Sequence, residues 1–181
     1  MTNLAAMYKW LIIVFGLMVF NSASAQNQLR VNDTLPMFSA NTFTNDTFTL
    51  DSVLPHYTVF VFWATWNSPS LELLDELNQN YKAINPTRRN ITKINIEVVD
   101  ISLDVKPDIY RINIKRENWP WEHHINDFLG WDSPLIDTLG ITQIPTVFIV
   151  DKYRKIIVIN PDINQLRNTL SNIKLNAELS N

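Results

Sequence analysis

The segment Tyr57 to Phe62 (YTVFVF) constrains the chain more than any other. An unbroken β-branched and aromatic run of this length is expected of a central strand covered on both faces. Directly behind it, Asn67-Ser68-Pro69 precedes Leu74, Leu77, Tyr81 and Ile84, which recur at spacings of three, four and three. That pattern predicts a helix with a capped start and one apolar stripe. Lys93 to Leu103 (KINIEVVDISL) then reads as a second strand. A strand, a helix and a strand in succession close as a right-handed crossover between parallel strands. The fold class is therefore α/β.

The flanking segments complete a mixed sheet. Thr42 to Leu50 alternates hydroxyl and apolar residues around Asn45-Asp46, which predicts an N-terminal β-hairpin. Lys106 to Asn118 is helix-compatible, Trp119 to Trp131 is irregular and aromatic-rich, and Pro134 to Leu139 leads into Gly140. Thr146 to Val150 and Lys155 to Ile159 are strands separated by Asp151-Lys152-Tyr153-Arg154, hence an antiparallel pair at the sheet edge. Asn160-Pro161-Asp162 caps a last helix carrying Ile163, Leu166, Leu170 and Ile173 on one face. No repeat or linker divides the chain, so residues 26–175 read as one domain, followed by a polar tail over 176–181.

The first 25 residues read as an export signal. Lys9 is the only charge, and Trp10 to Phe20 is an apolar run too short for a bilayer, which needs about 20 residues. Ala23-Ser24-Ala25 supplies a small-x-small cleavage pattern, leaving Gln26 first in the mature chain. The alternative is an uncleaved anchor. A periplasmic or extracellular location, with no stable membrane span once the signal is removed, is the expectation.

Composition removes whole classes of chemistry. The 181 residues contain no Cys and three Gly. A thiol nucleophile, a disulfide, a Cys-ligated metal, a GxGxxG turn and a Walker loop are all absent. A formal charge of −3 gives no nucleic-acid footprint.

Three motifs carry a resemblance. Val31 to Phe38 (VNDTLPMF) looks like an opening VGxxAPxF, and Tyr57 to Ser70 (YTVFVFWATWNSPS) looks like FWATWCxPC. Gly140 to Asp151 (GITQIPTVFIVD) looks like GVxxxPTxFxID. In that order and spacing they resemble the thioredoxin-like superfamily, in particular its exported thiol–disulfide interchange branch (TlpA/ResA-like, related to the peroxiredoxins). The resemblance implies a thioredoxin-like fold with a mixed central sheet flanked by helices. It also implies a cis peptide at Ile144-Pro145, facing the start of the helix. Where that branch has its two redox cysteines, this chain has Asn67 and Ser70. Its chemistry needs a thiolate at a helix start and a second thiol to resolve the mixed disulfide. Neither an amide nor a hydroxyl substitutes. A thiol–disulfide oxidoreductase label on this chain would describe ancestry.

Trp66, Asn67, Ser68, Ser70, Ile144 and Pro145 are the candidate binding residues, with a protein or extended peptide as the partner and no cofactor. Against this stands plain structure: Asn67-Ser68-Pro69-Ser70 is also a good helix cap, and Pro145 also a strand start. Of Trp63 and Trp66, one is expected in the core and the other at the surface beside Asn67. Glu122, His123, His124 and Asp127 form the one metal-like cluster, through which a non-thiol, metal-assisted enzyme would have to work. Adjacent histidines point apart, so no metal site is expected there. Trp119, Trp121, Phe128 and Trp131 are expected to close a core beneath the irregular segment. Oligomeric state is not encoded in any of these features.

Overall fold

The computed structural model of the protein describes residues 28–44, 46–53, 56–84 and 96–179. The leader, Asn45 at the expected hairpin turn and the start of the Lys93 segment lie outside the described residues. The elements are β1 (Ser39–Asn41), β2 (Thr47–Thr49), β3 (Tyr57–Trp63), α1 (Ser68–Ile84), β4 (Ile96–Ser102) and α2 (Pro107–Glu117). They continue with β5 (His123–Ile125), α3 (Pro134–Thr138), β6 (Thr146–Val150), β7 (Ile156–Ile159) and α4 (Ile163–Leu179).

The crossover forms as its pattern demands. β3 pairs parallel with β4, Val59 opposite Val98 and Trp63 opposite Ser102. On its other side β3 pairs antiparallel with β6, and β6 with β7, giving a five-stranded mixed sheet in the order β5-β4-β3-β6-β7. β1 and β2 make the separate N-terminal hairpin. Its first strand begins at Ser39 rather than Thr42, because Thr42 turns the chain by bonding the main chain of Asp46 in both directions.

β5 corrects the reading of 119–131 as wholly irregular. It is a three-residue edge strand parallel to β4, and Thr42 and Phe43 of the hairpin loop bridge to its outer side. α4 runs to Leu179, beyond the last apolar residue of its stripe and into the segment expected as a polar tail.

Period-two alternation along β3 builds both cores. Val59, Val61 and Trp63 face α1, α2 and α4, meeting Leu74, Leu77, Tyr110, Leu166 and Leu170. Phe60 and Phe62 face the other way, onto Leu35, Phe48, Leu50, Leu135 and Ile136. A central strand buried on both faces fixes the position of whatever leaves its end. The chain leaves it at Trp63, directly into the helix start.

Candidate functional site

The turn between β3 and α1 is held from beneath by Asp104. This buried carboxylate accepts from the Thr65 backbone N–H at 3.0 Å, the Thr65 hydroxyl at 2.6 Å and the Ser102 hydroxyl at 2.8 Å. Asn67 then caps α1. Its Oδ1 accepts from the Ser70 N–H at 2.9 Å and from the Ser70 hydroxyl at 2.7 Å, and its Nδ2 reaches the Ile144 carbonyl at 3.5 Å. One side chain thus closes the helix start on itself and touches the loop opposite. The Ile144-Pro145 peptide in that loop is cis.

The six candidate binding residues fall into two sets. Trp66 is 60% exposed, Ser68 is exposed, and Asn67, Ile144 and Pro145 are half-buried around them. Ser70 is fully buried, its hydroxyl spent on Asn67, so it presents nothing to a partner. Trp63 is in the core, Trp66 at the surface.

Beside this turn an open groove of about 580 Å³ runs between α1, the Ile144-Pro145 loop and the start of α4. Pro69, Leu73, Pro145, Val147 and Pro161 give it apolar walls. Asn160 fixes the far wall: in the left-handed region at φ 47°, it pairs with Val147 in both directions, at 2.9 and 2.8 Å.

The sequence matches the thioredoxin-like family over residues 55–156. The chain belongs to the thioredoxin-like family. Solved structures agree. It is similar to the C-terminal domain of a thiol-disulfide oxidoreductase from Bacteroides thetaiotaomicron, with 25% identity and a TM-score of 0.67 over 82% of this chain and 98% of that one. A thiol-disulfide oxidoreductase from Bacteroides fragilis matches at 22% identity and a TM-score of 0.68, over 78% of this chain and 99% of that one. A thioredoxin-family thiol:disulfide interchange protein from Chlorobium tepidum matches at 18% and 0.62, over 81% of this chain and 99% of that one. No curated protein matches the sequence. The chain itself has no cysteine. At the two positions that resemble the redox pair, Asn67 and Ser70 are joined by a hydrogen bond.

The histidine cluster does not converge. His123 and His124 project to opposite faces of β5, as adjacent strand residues must. The His123 ring lies edge-on to Phe48 at 5.3 Å, while His124 Nδ1 bonds Asp100. Asp127 accepts from the Leu129 N–H and the Ser133 hydroxyl, ordering the loop around Gly130. Among the described residues no group of three or more His, Asp or Glu is arranged to hold a metal ion.

Trp119 and Trp121 are buried and stacked at 5.4 Å, with Phe128 packed against Tyr110 at the margin of the same core. Trp131 is not in the core: it is 47% exposed. The neighbouring Gly130 is buried at φ 60°, where a Cβ would stand 2.8 Å from Val105.

The residue that sequence reasoning missed is Asp100. Fully buried on β4, its carboxylate accepts from Trp63 Nε1 at 2.9 Å and Trp121 Nε1 at 2.6 Å, and pairs with His124. Burial alone would lower the His124 pKa. The charge and hydrogen bond of Asp100, with a backbone bond at Trp121, outweigh it and raise the pKa above the ordinary value. Burial, with Asp100 and Asp104 adding to it, pushes the Tyr110 phenol far above its usual range, so it stays neutral. The signal for Asp100 was present in the sequence: of the two acids in IEVVDIS, Glu97 and Asp100, only Asp100 falls on the same alternating face as Ile96 and Val98.

Proposed function

We propose that this chain is a redox-inactive, exported thioredoxin-fold protein of the TlpA-like branch, which binds a protein or extended peptide on the face that its relatives use for thiol chemistry. Dithiol–disulfide exchange requires a thiolate to attack and a second thiol to resolve. With no cysteine in the chain, the hydrogen-bonded pair of Asn67 and Ser70 has neither. The export reading rests on the apolar leader and Ala23-Ser24-Ala25.

The observation that carries the binding reading is the open groove between α1 and the Ile144-Pro145 loop, walled by prolines and aliphatic side chains. Concave, largely apolar surfaces with a few fixed polar groups are where ligands dock. The exposed Trp66 indole, on the turn three residues before the groove-lining Pro69, offers a large rigid contact at low entropic cost. The partner's main chain meets little at Ile144 itself, whose carbonyl already faces the Asn67 amide. The groove therefore does more of the binding than strand addition at Ile144.

Two measurements test this. Purified protein is expected to reduce insulin with dithiothreitol at the buffer rate, and any turnover above buffer overturns redox inactivity. A photo-crosslinking residue at position 66 is expected to trap a partner in the native envelope, and the same residue at 153, on the turn at the opposite pole, is not. The adduct at 66 is expected to vanish with Leu73→Arg, which fills the groove. Equal labelling at both positions, or an adduct indifferent to Leu73→Arg, overturns binding at this face.

A further inference from the structure

The groove has a sign. Besides its apolar walls it is lined by three carboxylates, Glu72, Glu76 and Asp162, and no Lys, Arg or His is among its described lining residues. We infer that the groove selects cationic, extended peptide segments, with Glu72 and Asp162 as the specificity-determining residues. The inference rests on the peptide-binding reading above and names the chemistry of its partner.

The three acids are not equivalent. Glu76 is already neutralised locally: its carboxylate accepts from Arg167 Nε at 2.7 Å and from Asn80 at 2.9 Å, and these bonds, with the Arg167 bond foremost, hold its pKa below the usual range. It ties α1 to α4 and forms the groove's end. Asp162 caps α4, accepting the Gln165 N–H through Oδ1 at 2.8 Å, and stays exposed at the groove's mouth. Glu72 is exposed one turn into α1, without an ion pair among the described residues. Each of these two still has carboxylate surface to offer a ligand.

An opposing effect must be weighed. Both helices begin at this groove, and each start carries about half a positive charge. The Asn67 cap and the Asp162 cap each already occupy one of the N–H groups that express it. Two half charges and one arginine do not cancel three carboxylates. The local field stays negative and is focused by the low-dielectric proline walls. A lysine or arginine on an extended segment fits such a site, its aliphatic stem on the exposed Pro69 and its head in water beside an acid.

The test uses the purified chain and three heptapeptide pools, each degenerate at apolar positions. At the alternate positions they carry lysine, glutamine or glutamate. Bound peptide is quantified by mass spectrometry in low salt. Lysine peptides are expected to be retained about fivefold more than glutamine peptides, as two weak charge contacts imply, and glutamate peptides least. Glu72→Gln with Asp162→Asn is expected to erase that order while glutamine peptides bind as before, and molar salt is expected to do the same. If glutamate peptides bind best, or the lysine preference survives the double substitution, charge selection is overturned while groove binding stands. If no pool is retained by the unaltered chain, both readings fall.

Discussion

Asn67 and Asp100 occupy similar posts in very different surroundings. Each is a short polar side chain making three hydrogen bonds, of which one at Asn67 and all three at Asp100 reach a distant piece of chain. Asn67 is neutral and half-buried at the helix start, with water within reach. Asp100 is fully buried and holds two indoles and an imidazole in a core closed by stacked tryptophans. The lesson is that Asn67 and Ser70 are joined by neutral hydrogen bonds, whereas the sheet behind them is held by a buried charge. The chain can therefore be altered at Asn67 at small cost, and not at Asp100.

The largest expected effect follows from that difference. Asp100→Ala removes the anion that pairs with His124 and leaves two buried indole N–H groups unpaired. Breaking a buried pair from one side costs about 3–5 kcal/mol, because the remaining groups stay desolvated. Urea denaturation is expected to show that loss as a shifted midpoint with an unchanged slope. A loss below about 1 kcal/mol, within the range of exposed pairs, would break the comparison.

Asn67→Ala sits on the other side of it. The Ser70 N–H and hydroxyl lose their acceptor, but both are neutral and no charge is left unpaired, so the expected cost is that of an N-cap, about 0.5–2 kcal/mol. Asn67→Asp keeps the cap oxygen and adds favourable charge at a helix start, and its stability is expected to match or exceed that of Asn67. A thermal scan of both variants decides it. An Asn67→Ala loss as large as that of Asp100→Ala would show that the contact with Ile144 carries far more than its 3.5 Å length suggests.

How much of this was legible in the sequence divides along the same line. β3, the stripe of α1 and the antiparallel pair at the edge show in the residue pattern because period and burial agree over many residues. The cap at Asn67 is legible for the same reason: Asn, Pro and an apolar stripe reinforce one another. β5 is not, since three residues between tryptophans carry no period, and only the pairing partner makes them a strand. Trp131 was misplaced because composition cannot tell which side of a turn a tryptophan leaves. Asp100 is visible as an oddity in an apolar strand, but its partners are 37, 21 and 24 residues away in sequence and meet it only through sheet register. Of the candidate site, the residue types were readable. The groove was not, because Pro69, Pro145 and Pro161 come from three separate segments.

The smallest expected effect sharpens the comparison, because it separates the charge at Asp100 from its hydrogen bonds. The pKa of His124 is raised in the folded protein, so folding favours its protonated form. That stabilisation is fully present below the unfolded value of about 6.5 and is lost as pH rises through the folded value. The neutral ring still donates from Nδ1 to Asp100 if it takes that tautomer, so only the ionic part disappears and the loss is smaller than in Asp100→Ala. Thermal midpoints are expected to fall as pH rises from 6 through the folded pKa in the unaltered chain, and to stay flatter in His124→Gln, which keeps a donor without the charge. A slope that survives in His124→Gln would place the titrating group elsewhere. It would also make Asp100 a hydrogen-bond acceptor whose charge the core tolerates unaided, and the contrast with Asn67 would then rest on burial alone.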